Sequence, residues 1–290
     1  MPRKAGGDVR GRKLRPPVKW HGGKHYLAPQ IVRLFPEHHT YVEPFGGAAS
    51  VLLNKQPSPV EVYNDLDERI VRLFRVLRDH GPEFQRRLTL TPYSELEFLD
   101  AANPAEDEIE QARRDFVRWR LSLGGRGDSF SFTLHRVRRQ MADVVSGYLS
   151  MVDEYLPLIV DRLRTVQIVC RPAVDVIRRW DSDETLFYCD PPYLHSTRQA
   201  KSRAVYGHEM TDDLHRDVAS CLNDCGGKVV LSGYPSELYK ELYENWWRLD
   251  YDIANHAAGG KKKERQQECL WLNYDPASVS TGPSLFGQKP

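Results

Sequence analysis

With 290 residues, 40% of them hydrophobic, the chain can bury a sizeable core, and its length suggests about two domains. Its 41 Lys plus Arg against 40 Asp plus Glu leave a formal net charge of +1, which excludes a whole-molecule basic field, so any grip on phosphate has to come from local patches. The five cysteines, Cys170, Cys189, Cys221, Cys225 and Cys269, are too scattered for a disulfide framework or a zinc site; no apolar run approaches the roughly 20 residues that cross a bilayer and no signal sequence is seen, so the expectation is a soluble cytoplasmic protein.

Residues 1–17 carry Arg3, Lys4, Arg10, Arg12, Lys13 and Arg15 among Gly and Pro without periodic apolar residues, the composition of a disordered basic arm. Lys19-Trp20-His21-Gly22-Gly23-Lys24 then sets two cations and an indole around a Gly-Gly bend, ahead of a helical stretch from Leu27 to Phe35. Thr40–Glu43 reads as a short buried strand, followed by the turn Pro44-Phe45-Gly46-Gly47-Ala48-Ala49-Ser50 and the helical run Val51-Leu52-Leu53. Small residues in such a turn let the backbone approach a ligand, and a helix start presents N–H groups to polar or anionic atoms. A second strand, Val60–Tyr63, ends in Asn64-Asp65. Asp65 falls roughly 20 residues past the turn, near the spacing at which a nucleotide-binding α/β unit sets an acid against ribose hydroxyls.

Residues 79–164 read as mostly helical. Ile109, Ala112, Phe116, Trp119 and Leu123 recur at helical spacing, as do Met141, Val144, Val145, Tyr148, Met151, Val152 and Tyr155, and both stripes read as core. Between them Gly124-Gly125-Arg126-Gly127-Asp128-Ser129 reads as a mobile glycine loop, flanked by a basic helix with Arg136, Arg138 and Arg139. That combination suits a segment closing on duplex DNA; a solvated surface loop is the alternative. Val166–Val169 reads as another strand.

The apolar run Leu186-Phe187-Tyr188-Cys189 ends in Asp190-Pro191-Pro192-Tyr193. Proline fixes its own φ and pushes the preceding residue toward extended geometry, so the Asp190 carboxylate and the Pro191 carbonyl can be aimed at one point. Two acceptors at one point suit a donor with two hydrogens, such as the exocyclic NH₂ of adenine or cytosine, and Tyr193 offers a flat face on which an extruded base can stack. A strand ending in an ordinary Pro-Pro turn is the competing reading. The polar loop that follows includes Ser196, Arg198 and Lys201, suited to a displaced nucleotide's phosphates. Lys228–Tyr234 and Cys269–Leu272 read as further strands, Lys261-Lys262-Lys263-Glu264-Arg265 as a third basic cluster, and residues 276–290 as a frayed tail.

Trp20-His21-Gly22-Gly23-Lys24, Val42-Glu43-Pro44-Phe45-Gly46-Gly47, Asn64-Asp65, Asp190-Pro191-Pro192-Tyr193, His215, Lys228–Tyr234 and Glu268–Asn273 stand in the order and register of one family. Over about residues 18–275 the chain resembles the Dam-like, D12-class adenine-N6 DNA methyltransferases. The resemblance implies an α/β fold: a seven-stranded, Rossmann-like methyltransferase sheet with S-adenosylmethionine at the carboxyl ends of its strands and an inserted, mostly helical target-recognition domain. It also implies cofactor contacts from Trp20, Lys24, Glu43, Phe45, Gly46, Gly47, Asp65 for the ribose, Asp175 and Asp190, and a catalytic role for Asp190, Pro191, Pro192 and Tyr193. DNA contacts are expected from Arg126, Arg136, Arg138, Arg139, Ser196, Arg198 and Lys201. Three positions depart from the family pattern: Ala49 replaces a common glycine, Asp67 a common asparagine, and Arg171-Pro172-Ala173 stands where an acid is usual, leaving Asp175 the nearest carboxylate.

The domains expected are an arm (1–17), a catalytic domain (18–78 with 165–275), a target-recognition domain (79–164) and a tail (276–290). The expected function is methyl transfer from S-adenosylmethionine to adenine N6 in double-stranded DNA after base flipping. Cytosine-N4 methylation and a DNA- or cofactor-binding relative without turnover are the alternatives; glutamine methylation is disfavoured because such amide-directed sites begin with Asn. A cognate restriction endonuclease and the oligomeric state stay open, with a monomer favoured.

Overall fold

The computed structural model describes residues 13–20, 22–194, 210–254 and 265–279. In chain order the elements are α1 (Ala28–Val32), β1 (Thr40–Glu43), β2 (Val60–Asn64), α2 (Glu68–Thr89), α3 (Glu95–Asp100), α4 (Glu108–Arg120), β3 (Val137–Arg138), β4 (Met141–Ala142), α5 (Asp143–Ser150), α6 (Leu156–Leu163), β5 (Val166–Val169), α7 (Ala173–Trp180), β6 (Thr185–Cys189), α8 (Asp212–Asp224), β7 (Lys228–Gly233), α9 (Glu237–Leu242), β8 (Trp247–Ala254) and β9 (Arg265–Leu272). They divide into two compact units, one of Met1–His25 with Arg72–Arg164, the other of Tyr26–Val71 with Thr165–Pro290.

The second unit is built on a seven-stranded sheet of order β5-β2-β1-β6-β7-β9-β8. β5, β2, β1, β6 and β7 run parallel, and β9 pairs antiparallel with both β7 and β8. The central strands are continuous apolar runs because both faces are covered. All of Thr185–Cys189 is buried, and Val42, Val62, Phe187, Val229, Leu231 and Trp271 share one core with Val176 and Ile177 of α7 and Val218 and Leu222 of α8. From β1 the chain steps outward through β2 to β5, then returns to β6 and steps the other way. The switch in direction lies between β1 and β6, and in open α/β sheets the crevice outside the carboxyl ends at such a point is where ligands bind.

Strands β1, β2, β5, β6, β7 and the end of β9 lie where the apolar runs indicated, whereas β8, in which polar residues alternate with apolar ones, was not read from the sequence, and the helices around the first turn differ from expectation. The expected helix Leu27–Phe35 is helical only over Ala28–Val32, and Val51-Leu52-Leu53 forms successive turns instead of a helix. Ala49 sits at φ 55°, a left-handed conformation that cannot propagate a right-handed helix, and the Leu52 N–H is taken by the Glu43 carboxyl. Next to this turn Lys55 and Glu61 form an ion pair at 2.6 Å with both side chains essentially buried.

In the first unit Ala112, Phe116 and Trp119 on α4 and Tyr148, Met151, Val152 and Tyr155 are buried as the stripes indicated. Leu123 and Met141 are not: Leu123 is 65% exposed in a 3₁₀ turn beyond the end of α4, and Met141 is 37% exposed on β4. The second stripe is interrupted by a π-turn over Met151–Tyr155, directly before Pro157, whose missing N–H breaks the regular ladder. The long helix α2 is likewise broken at His80 (φ −130°), ahead of Pro82. Arg138 and Arg139 belong to a two-stranded hairpin rather than a basic helix, with Arg136 just before it. Val137 pairs with Ala142, Arg138 with Met141, and the turn residues Arg139 and Gln140 both have positive φ, at 52° and 62°.

The buried Ala49 carries a left-handed backbone at a cost that glycine does not bear, which makes the departure from the family pattern less mild than residue size suggests. Ala49→Gly should raise the unfolding free energy by about 1 kcal/mol in denaturant titration; a loss of stability would show the strain to be relieved elsewhere.

Candidate functional site

The carboxyl ends of β1, β2 and β5 are joined by Asn64, which is fully buried. Its amide nitrogen donates to the Pro44 carbonyl (2.8 Å) and the Arg171 carbonyl (3.0 Å), its side-chain oxygen accepts from the Arg171 N–H (2.9 Å), and its own carbonyl accepts from the Gly46 N–H (2.7 Å). Gly46 has no room for a side chain: a Cβ there would lie 2.2 Å from the Tyr63 ring, whose hydroxyl donates to the Gly47 carbonyl at 2.6 Å. The close approach that glycine permits at Gly46 is therefore to Tyr63. Asp65, half-exposed, accepts from the Gly47 N–H at 2.8 Å and from the Asp67 N–H at 2.9 Å. Asp67 in turn accepts from the Arg69 N–H and holds its guanidinium in a fork (3.0 and 2.6 Å), so its charge is used at the start of α2.

Glu43 faces inward. One of its oxygens accepts from the Tyr41 hydroxyl (2.6 Å) and from the Leu52 N–H (2.7 Å), tying the far side of the turn to β1. Lys55 lies over the Tyr41 ring at 4.3 Å. Burial pushes the Glu43 carboxyl up to about 8; the two hydrogen bonds and Lys55 oppose that shift, and the charge of Asp190 adds to it. Glu43 thus supports the turn from beneath.

Asp190 emerges half-exposed from the end of β6, beside the switch point, while Cys189, Pro191 and Tyr193 around it are buried. The expected open face of Tyr193 is absent. The residue is 5% exposed, its ring meets the Tyr234 ring edge-on at 4.3 Å between centroids, and its hydroxyl donates to the buried carboxylate of Glu268 on β9. Burial, then the charges of Asp190 and Glu268, hold the Tyr193 phenol well above its ordinary value, so it remains a donor. Tyr188, one residue before Cys189, shares a hydrogen bond with Ser232 at 2.9 Å. In the sequence Glu268 stood out only as a lone acid leading the apolar run Cys269–Leu272, and nothing there pointed to its contact with Tyr193.

Asp175 lies exposed in the first turn of α7, just past the end of β5. Phe45 is half-buried against the sheet core. His215 is buried and bonded to the Tyr239 hydroxyl at 3.0 Å, a packing role. Trp20 and Lys24 fall in the other compact unit, where Trp20 packs edge-on against Trp119 (5.8 Å) and the Lys24 amine donates to the Gly22 carbonyl (2.9 Å). In that unit the glycine loop is anchored, not loose: Gly127 N–H donates to the Ser122 hydroxyl at 3.0 Å, Arg118 donates to the Gly127 carbonyl, and a Cβ on Gly125 would strike the Lys19 carbonyl at 2.4 Å. Arg126, Arg136 and Arg138 are exposed, whereas Arg139 is paired with Glu154. Phe132 (70% exposed), Leu134 (78%) and Val137 (72%) stand among them, apolar residues that periodicity passed over because they face no core. Ser196, Arg198, Lys201, the cluster Lys261–Glu264 and the arm before residue 13 lie outside the described residues.

A parallel sheet with this strand order, one antiparallel addition and a half-exposed acid at the switch-point strand defines the class of Rossmann-like methyltransferases. Residues 20–258 match the D12 class N6 adenine-specific DNA methyltransferases, and the chain belongs to that family. It is 27% identical over 280 residues to the Type II methyltransferase M1.LlaDCHI of Lactococcus lactis subsp. cremoris, covering 90% of this chain and 96% of the relative. To the DNA adenine methylase of Escherichia coli (strain K12) it is 24% identical over 286 residues, 93% of this chain and 98% of the relative. The DNA adenine methylase of Vibrio cholerae is 24% identical over 275 residues, 87% of this chain and 94% of the relative. The activity that family membership carries is methylation of adenine in DNA.

The neutral Glu43 has a pH signature. Folded, it keeps its proton up to about 8; unfolded, it titrates near 4.5, so between these values the folded state binds more protons and stability falls as pH rises. The contribution is complete below 4.5 and lost through about 8. Denaturation from acid to alkaline pH should show the wild type losing on the order of a few kcal/mol relative to Glu43→Gln; parallel curves would show Glu43 ionised throughout.

Proposed function

We propose that the chain transfers a methyl group from S-adenosylmethionine to adenine N6 of a base turned out of duplex DNA, with Asp190 and the Pro191 carbonyl as the acceptors of the amino hydrogens. The observation that carries this reading is the half-exposed Asp190 carboxylate at the end of β6, among buried neighbours and at the point where the strand order reverses, the place at which open α/β sheets bind ligands. The donor set suits the cofactor: a half-exposed Asp65 for ribose hydroxyls, a half-buried Phe45 for an apolar contact, and the small-residue turn at Gly46-Gly47. When bound, S-adenosylmethionine supplies a methyl group on a positively charged sulfur.

The rest falls to the chain's own residues. The amino nitrogen of adenine is a poor nucleophile because its lone pair is delocalised into the ring, and no side chain deprotonates it near neutral pH. If Asp190 and the Pro191 carbonyl each accept one N–H, the nitrogen is drawn toward tetrahedral geometry and its lone pair is freed for attack. Acceptors fixed in advance also stabilise the positive charge that develops on nitrogen, and the half-exposed Asp190 carboxylate gives the proton that the methylated nitrogen then loses a route to solvent. Pro191 and Pro192 contribute rigidity, since neither φ can relax. Holding the base in place supplies much of the remainder, up to roughly 7–11 kcal/mol in well-oriented reactions.

On the DNA side, exposed Arg126, Arg136 and Arg138 suit phosphate and groove contacts, and the neighbouring Phe132, Leu134 and Val137 suit apolar contact with base edges. Its Lactococcus relative is named a Type II methyltransferase, which supports a search for an endonuclease that cuts the same unmethylated site.

Asp190→Ala should lower single-turnover methylation by about 10³-fold or more while DNA affinity holds, with 6-methyladenine read by mass spectrometry of digested DNA; retained turnover would remove Asp190 from the chemistry. Arg136→Ala with Arg138→Ala should weaken binding to all sequences alike and flatten the dependence of log affinity on log salt by about 2, one per lost phosphate contact. An unchanged salt slope would take these arginines off the phosphates.

A further inference from the structure

Two consecutive prolines leave Pro191 and Pro192 without an N–H, so the segment that must aim the Asp190 carboxylate and the Pro191 carbonyl cannot be secured by its own backbone donors there. What secures it is a side chain. Tyr193 reaches from the end of this tripeptide to the carboxylate of Glu268, which is 2% exposed on β9. Glu268 pairs in register with Tyr251 of β8, and the next residue, Cys269, pairs with Gly233 of β7. The Tyr193 ring is wedged against Tyr234, the residue after Gly233. The acceptor pair at the end of a parallel strand is thus tied to the antiparallel part of the sheet.

We propose that Glu268 is a positioning residue for methyl transfer: by holding the Tyr193 hydroxyl it sets the direction in which Asp190 and the Pro191 carbonyl point. It touches neither base nor methyl donor and acts through Tyr193. This rests on the reading of Asp190 and Pro191 as acceptors. The protonated state of the Tyr193 phenol fits, since the contact needs a donor facing a carboxylate.

The test separates positioning from folding by removing the contact in two ways. Tyr193→Phe deprives the buried Glu268 of its Tyr193 donor, which costs stability, whereas Tyr193→Phe with Glu268→Leu removes both partners and should recover most of it, because paired apolar replacement of a buried polar contact is nearly neutral. If Glu268 positions the acceptors, the stable double variant still turns over on the order of 10²-fold more slowly in kcat, with KM for DNA little changed and a 2-aminopurine target base less fluorescent on extrusion. If its kcat recovers with stability, the contact is merely structural and the proposal fails. Glu268→Gln keeps an acceptor and should retain kcat within about threefold while Glu268→Leu does not; equal loss in both overturns the proposal even where the double variant does not fold. Asp190→Ala runs alongside: activity there sinks the underlying reading, whereas an inactive Asp190→Ala beside a fast double variant sinks this inference alone.

Discussion

The carboxyl end of the sheet depends on one side-chain amide, that of Asn64. Three neighbouring strands end there, and each leaves backbone groups that the ladder no longer satisfies. An amide offers donors and an acceptor in one plane, so a single residue serves the carbonyl of Pro44 and both polar groups of Arg171. Aspartate has no donor and leucine neither donor nor acceptor, and either would leave buried backbone groups unpaired at about 1–3 kcal/mol each. With β1 and β5 fixed to β2 in this way, the Gly46 N–H reaches the Asn64 carbonyl, the turn is pressed onto Tyr63, and Gly47 delivers its N–H to Asp65. Asp65 and the turn it faces are positioned by the same knot.

Around that knot the chain places several acids close to the sheet and treats each differently. Glu61 is buried and paired with Lys55; Glu43 is buried and kept neutral to about 8; Glu268 is buried against a phenol. Asp65 and Asp190 stay in partial contact with solvent. An uncompensated buried charge is too costly to keep, so an acid lodged in the core is paired, neutralised or hydrogen-bonded, and acids left half-exposed at strand ends are the ones able to meet a ligand. A neutral Glu43 also spares Asp190 a second negative charge beneath it.

Legibility in the sequence followed from how local each cause was. Strands β1, β2, β5, β6 and β7 were readable because their apolar runs are bounded by turn residues, and their order became readable only through the linked motifs. The helix expected at Val51–Leu53 failed because a nonlocal acceptor, Glu43, and a left-handed Ala49 override local preference. The open aromatic face expected of Tyr193 failed for the same kind of reason: Glu268 stands 75 positions away in the chain. Asp190 was legible from its neighbours, two prolines that act through covalent geometry alone, while the contact of Tyr193 with Glu268 beyond them was not.

The near-neutral net charge takes on meaning once the arginines are sorted by partner. On α2 and α4, Arg72, Arg75, Arg87, Arg113 and Arg114 are paired with Asp115, Glu108, Glu83, Glu110 and one another's acids, so these helices bind one another and spend their charge internally. Among the described residues no ion pair involves Arg126, Arg136 or Arg138. The hairpin that carries Arg138 turns through two successive non-glycine residues at positive φ, a conformation normally left to Asn-Gly or Gly-Gly, and Arg139 in that turn is tied to Glu154. Arg139 therefore holds the turn and Arg138 faces outward. The segment from Arg126 to Arg138 carries exposed Arg126, Arg136 and Arg138 against a single acid, Asp128, interleaved with exposed Phe132, Leu134 and Val137, a local positive surface of the kind that a chain of charge +1 needs if it is to grip a polyanion.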